Sequence, residues 1–175
     1  MFERIAVGFD GSQCSRKALD VAIGFARSQG AQLDICCVVD PILLTGTAPP
    51  SPAMDLVVRD MEDEARRLVH EATRRALEAG IKAHGSVASG AAAFELLNYA
   101  KRAGADLIVL GTHGRRGIAH FLMGSVAETV LRESSIPVLV VHEPAASAKD
   151  RERGDDAQER QQPQQERGDR ARTPA

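Results

Sequence analysis

Residues 107–126, LIVLGTHGRRGIAHFLMGSV, contain the pattern that decides the predicted fold of this chain. The first four residues are an apolar run that ends at Gly111 and predicts a buried strand. Gly114 follows after two intervening residues, and Gly124–Ser125 follows after nine more, where a helical pattern starts. Glycine lets a backbone approach a ligand closely, and the first N–H groups of a helix have no partner inside it. The stretch therefore predicts a phosphate-binding loop.

The composition fits one domain followed by a tail. The chain has 175 residues, of which 43% are apolar, and it contains only five Phe, one Tyr and no Trp, so aliphatic side chains must fill the core. A net charge of -2 argues against a nucleic-acid partner. The chain lacks an apolar run of membrane-spanning length and does not start like a signal peptide, so we expect no membrane contact and a cytoplasmic location.

The three cysteines, Cys14, Cys36 and Cys37, do not predict a disulfide. Their number is odd, and the neighbours Cys36 and Cys37 would point to opposite faces of one strand. We expect two small core residues and one residue near a helix start, in a reducing compartment.

Apolar periodicity predicts five strands that alternate with four helices. Strands are expected at 5–9, 33–39, 81–87, 106–110 and 137–141, and helices from about Ser15 to Gly30, from Asp55 to Ala79, from Gly90 to Gly104 and from Ser125 to Arg132. The third helix is expected to bury Phe94, Leu97 and Ala100 or Lys101. Ser125 is expected to cap the last helix, with Glu128 completing a capping box.

This alternation is typical of an α/β domain with a doubly wound parallel sheet and helices on both faces. The usual five-stranded order is 2-1-3-4-5. The third strand alternates polar and apolar residues and should be half exposed, which favours the order 3-2-1-4-5 with that strand at an edge. We expect the domain to cover 1–144. The tail, 145–175, is Gln-rich with balanced charges and is expected to be disordered.

In the order 3-2-1-4-5, strands one and four flank the switch point, where α/β sheets bind ligands. The acidic turn at Asp10 would then face Gly111 across one crevice. The last strand, Pro137–Val141, would be a wholly apolar edge, and pairing with a second copy would cover it. Residues 40–55 are rich in proline and predict a long loop, either a lid or a linker.

The pattern Gly111-x2-Gly114-x9-Gly124-Ser125 resembles the nucleotide-binding motif of the ATP-binding branch of the universal stress proteins. The flanking DLIVLGTHGRRG and LMGSVAETVLRESSIPVLVV resemble the last strand-loop-helix-strand unit of that family, and IAVGFDGS resembles its first strand and turn. The resemblance covers about Glu3 to His142. It implies the order 3-2-1-4-5, ATP at the switch point, dimers built on the last strand and a role in the stress response.

The resemblance also implies roles for individual residues. Asp10 would lie near the ribose and phosphates and bind Mg²⁺, although it could instead cap the first helix. The backbone of Val38, or of its neighbour Val39, would meet the adenine. The full set expected at the nucleotide is Asp10, Ser12, Val38, Gly111, His113, Gly114, Arg115, Gly124, Ser125 and Val126.

The residues predict binding more strongly than catalysis. The chain lacks GxxxxGK[ST], and the glycine-rich stretch contains no lysine, so the usual machinery of fast phosphoryl transfer is missing. We expect an ATP-binding regulatory protein with at most slow hydrolysis. The alternatives are a Mg²⁺-dependent hydrolase or nucleotidyl-transfer enzyme that uses Asp10, and a structural dimer with an empty site.

Overall fold

Five parallel strands form one sheet in the order β3-β2-β1-β4-β5. The computed structural model describes residues 1–41, 51–112 and 123–142. The strands are β1 (Arg4–Gly8), β2 (Gln32–Val39), β3 (Ala83–Ser89), β4 (Leu107–Gly111) and β5 (Val138–Val141). The helices are α1 (Gln13–Gln29), α2 (Pro52–Glu78), α3 (Ala92–Ala103) and α4 (Ser125–Glu133). The predicted fold class and strand order are confirmed.

Helices cover both faces of the sheet. Odd-numbered residues of the central strands, such as Val7, Ile35 and Val109, pack in one apolar cluster with α1 and α2. Even-numbered residues, such as Ala6 and Ile108, pack in a second cluster with α3 and α4. Successive strand residues point to opposite faces, so the near-continuous apolar runs in the sequence follow directly from this two-sided burial.

The central strand β1 fixes the position of the switch point. Ile5 pairs in parallel with Leu33 of β2 on one side and with Leu107 of β4 on the other. The chain enters β2 directly after β1 and α1, but it reaches β4 only after β3 and α3. The carboxyl ends of β1 and β4 therefore lie side by side where the order of strands reverses.

Helix α2 begins one turn earlier than the sequence predicts. Its first residue is Pro52, and the Ser51 side chain accepts a hydrogen bond from the Met54 N–H at 3.3 Å. Proline suits the first helical position because its missing N–H would have no partner there. The expected start at Asp55 was wrong because Ser51–Pro52 is a helix start within a proline-rich stretch. Of the predicted loop, residues 42–50 lie outside the described residues.

The buried face of α3 also differs from the prediction. Phe94 is 62% exposed, whereas Leu96, Leu97 and Ala100 are buried. A Cβ atom at Gly8 would lie 2.9 Å from Leu96 Cδ2. Leu96 therefore fills the space that the glycine of β1 leaves open, while Phe94 lies on the exposed side of α3.

Both edge strands match their predicted character. β3 carries exposed or half-buried residues throughout, as its alternating sequence predicted. β5 is apolar, and its first three residues are half buried while Val141 is buried. Within the described residues, no further strand pairs with β5. None of the helices in these ranges is long and apolar enough to cross a membrane.

Candidate nucleotide-binding crevice

The carboxyl end of β4 passes very close to the start of α1. A Cβ atom at Gly111 would lie 2.7 Å from both the carbonyl carbon and the Cβ of Cys14. Real Cβ atoms do not approach other atoms so closely, so only glycine fits here without a shift of the backbone. Gly111 thus lets the end of β4 lie against the first turn of α1, next to the turn that contains Asp10.

The acidic turn after β1 is held by its own hydrogen bonds. Asp10 Oδ1 accepts a bond from the Ser12 N–H at 3.0 Å, and Ser12 Oγ accepts one from the Ser15 N–H at 3.2 Å. Between them Gly11 has a φ of 79°, and a Cβ there would lie 2.7 Å from Leu68 Cδ2. Ser12 is therefore the N-cap of α1, and the Asp10 carboxylate is held in the turn that follows β1.

The start of α4 is joined to the end of β4. The N-cap of α4 is Gly124, and its N–H donates to the Thr112 carbonyl at 2.8 Å. Gly124 makes no side-chain capping bond, and the Glu128 N–H donates to the Gly124 carbonyl at 3.0 Å. The predicted capping box was wrong, because Ser125 is already the first helical residue and its side chain is exposed.

The structure therefore brings part of the predicted set together. Asp10 and Ser12 follow β1, Gly111 ends β4, and Gly124 lies beside that end through its bond to Thr112. Ser125 and Val126 form the first turn of α4. His113, Gly114 and Arg115 lie outside the described residues, so their assignment stays a prediction.

Val38 lies at the carboxyl end of β2. The register pairs Gly8 with Cys36, so Val38 comes two residues further along, at the end of the sheet where Asp10 follows β1. Val38 is half buried against the α3 and α4 cluster, whereas Val39 is 4% exposed and packs on the opposite face. Of the two alternatives, Val38 is the more accessible side chain.

Thr112 is a residue that the sequence did not single out. Its N–H donates to the Val141 carbonyl at 2.9 Å, and its hydroxyl lies 3.2 Å from His142 Nδ1. These partners lie about 30 residues away in sequence and become neighbours only through the pairing of β4 with β5. Its position directly after the strand-ending Gly111 was the only sequence signal available.

The cysteines are all free, as expected. Burial raises the pKa of the Cys36 thiol to about 12, and the adjacent Cys37 adds to the shift, so Cys36 stays a protonated core thiol. Within residues 1–41, 51–112 and 123–142, no group of three or more His, Cys, Asp or Glu side chains could hold a metal ion.

This fold defines a class: a doubly wound α/β domain whose switch point lies between the carboxyl ends of β1 and β4. The family model described as "Universal stress protein family" matches residues 1–142. The chain belongs to the universal stress protein family.

Curated relatives agree with this assignment. The chain is 37% identical to universal stress protein YxiE of Bacillus subtilis over 147 residues, which cover 81% of this chain and 99% of the relative. It is 33% identical to universal stress protein MJ0531 of Methanocaldococcus jannaschii over 144 residues, which cover 82% of this chain and 84% of the relative.

Solved structures have the same architecture. A member of the family from Burkholderia pseudomallei superposes with a TM-score of 0.66 at 32% identity, covering 82% of this chain and 96% of that one. A universal stress protein in complex with cAMP superposes with a TM-score of 0.59 at 30% identity, covering 81% and 97%. That relative binds an adenine nucleotide.

Proposed function

We propose that this protein binds ATP in the crevice between β1 and β4 and acts as a nucleotide-dependent regulatory module of the cytoplasmic stress response. The observation that carries the proposal is the convergence of Gly111, the uncapped start of α4 and the Asp10 turn at the switch point. Main-chain N–H groups and the positive end of a helix dipole favour phosphate there.

The choice of an adenine nucleotide rests on a family relative and on the apolar side chain of Val38. A relative with 30% identity is a cAMP complex. The half-buried Val38 supplies an apolar surface at the end of β2, which suits a purine ring, while the glycines lie nearer the start of α4. ATP is proposed and not cAMP because the glycine spacing resembles the motif of the ATP-binding branch of the family.

Asp10 is the proposed Mg²⁺ ligand. Mg²⁺ keeps several of its waters and is commonly bound by one or two carboxylates together with substrate phosphates. A single carboxylate at the crevice mouth, beside the start of α1, fits that requirement without a preformed cluster. Mg²⁺ bound there would partly neutralise the phosphate charge.

We propose regulation and not efficient turnover. The sequence contains no Walker-type lysine, and a fast enzyme needs a positioned nucleophile and stabilisation of transition-state charge. Occupancy would instead bias the segment between β2 and α2 or a dimer built on β5, with any hydrolysis slow. Turnover above roughly one per second that is lost in Asp10→Ala would favour the enzymatic alternative.

The dimer is proposed from the apolar edge of the sheet. Val138–Val141 is short and carries no charged residue that would block pairing. Antiparallel pairing with a second copy would bury Val138, Leu139 and Val140 further. Light scattering at high protein concentration should give twice the monomer mass, and a persistent monomer would contradict this.

Isothermal titration with ATP, cAMP and GTP tests the proposed function. We expect ATP to bind, and to raise the melting temperature because it stabilises only the native state.

Gly114→Val should abolish binding and leave the fold intact. Mass spectrometry of small molecules released from protein purified without added nucleotide should detect an adenine nucleotide. Failure of ATP to bind or stabilise at millimolar concentration would support a structural dimer with an empty site.

A further inference from the structure

We propose that Thr112 is a positioning residue, which holds the end of β4 to β5, α4 and α1 at once and so keeps Gly111 beside Gly124 for the nucleotide. This inference rests on the proposed function. Thr112 itself is not proposed to contact the nucleotide.

The backbone of Thr112 makes two hydrogen bonds in opposite directions. Its N–H donates to the Val141 carbonyl at 2.9 Å, which extends the pairing of β4 with β5 beyond Gly111. Its carbonyl accepts from the Gly124 N–H at 2.8 Å, which fixes the N-cap of α4. The end of one crevice strand and the start of the phosphate-side helix therefore meet at one residue.

The side chain of Thr112 adds two contacts that most other residues could not make. Oγ1 lies 3.2 Å from His142 Nδ1, just beyond the end of β5. It also lies 4.0 Å from Cys14 Sγ in the first turn of α1. The hydroxyl carries one proton and two lone pairs, so it can donate to one neighbour and accept from the other. A β-branched side chain holds this orientation with little freedom at χ1.

These contacts explain how the two ends of the glycine motif stay adjacent. If the hydroxyl is removed, the backbone bonds remain possible, but the anchor toward His142 and α1 is lost. A partly exposed hydrogen bond of this kind changes an equilibrium by roughly three- to tenfold. The loss should fall on ATP affinity, because free protein would then have to order Gly111 and Gly124 on binding.

The experiment compares Thr112→Val, which keeps the shape and removes the hydroxyl, with Thr112→Ser, which keeps the hydroxyl. ATP affinity is measured by isothermal titration, and exchange of the Gly124 amide is measured by NMR in nucleotide-free protein. Thr112→Val should weaken ATP binding and speed Gly124 exchange, each by roughly three- to tenfold. Thr112→Ser should match the wild type in both ATP affinity and Gly124 exchange. Thr129→Val in α4 is the matched control and should change neither.

A double-mutant cycle identifies the partner. His142→Ala should weaken ATP binding to a similar degree, and Thr112→Val combined with His142→Ala should be no worse than either change alone, because both remove the same contact. If wild-type protein binds ATP and Thr112→Val binds it equally well, the positioning role is overturned while the proposed function stands. If wild-type protein binds no adenine nucleotide, both are overturned together.

Discussion

The starts of α1 and α4 lie at the same end of the sheet, but the two helices differ in whether a side chain caps their first N–H groups. At α1, the Ser12 hydroxyl accepts a hydrogen bond from the Ser15 N–H, so a side chain satisfies one of the orphan N–H groups. At α4, Gly124 provides no side-chain cap, and the Ser125 side chain is exposed in the first turn. Orphan N–H groups take water or a ligand as acceptor, so the first turn of α4 can receive the proposed phosphate. The start of α3, at Ala91, also lacks a side-chain cap, so the missing cap alone does not identify the site.

The glycines at the two helix starts, Gly11 and Gly124, differ in whether the backbone conformation requires a glycine. Gly11 has a φ of 79°, so the backbone geometry requires a glycine, and a larger residue would also displace the Leu68 side chain. Gly124 has a φ of -64°, which every residue adopts easily. The backbone conformation therefore does not require a glycine at position 124, and the close approach of a phosphate is the reason we propose for it.

The largest expected effect comes from closing the space between β4 and α1. Gly111→Ala places a Cβ 2.7 Å from the Cys14 backbone, so unfolding free energy should fall by about 1–3 kcal/mol and ATP binding should be lost. Urea denaturation measures the first effect. Gly24→Ala in α1 is the matched control, because a Cβ there meets nothing within 4 Å and should stabilise by about 0.5–1 kcal/mol. Equal stabilities for the two variants would contradict the close contact.

A smaller effect is expected at the self-capped helix. Ser12→Ala removes the acceptor for the Ser15 N–H and should cost about 1 kcal/mol of stability. Ser12→Asp should retain most of it, since aspartate is also a good N-cap. Chemical denaturation of the three proteins checks this, and an alanine variant as stable as the wild type would show that α1 does not depend on its cap.

The strand order was predictable, but the helix starts were only partly so. The alternation in residues 81–87 placed β3 at an edge, and the resulting strand order placed the ends of β1 and β4 side by side. Ser125-x-x-Glu128 fits the capping-box pattern, yet Gly124 is the N-cap because its N–H is held by Thr112. That bond depends on the exit of the chain from β4, and the Thr112 contacts depend on β5 and α1. Local sequence patterns do not contain either relation.

The smallest expected effect tests the absent capping box directly. Glu128→Gln removes a charge from the first turn of α4 but no side-chain cap. Stability should therefore fall by only about 0.3–1 kcal/mol through the helix dipole, and less at high salt. Thermal unfolding at low and high salt measures it. A larger loss of stability that salt does not reduce would show that Glu128 does complete a capping box. That result would weaken the contrast between α1 and α4.

The most direct test of that contrast is the Ser125→Ala variant, measured for both ATP affinity by isothermal titration and unfolding free energy by urea. The side chain of Ser125 is exposed and caps nothing in the described structure. We predict a stability within about 0.5 kcal/mol of wild type and an ATP affinity reduced by roughly three- to tenfold. A loss of about 1 kcal/mol in stability with unchanged ATP affinity would contradict the account, because Ser125 would then be an ordinary helix cap.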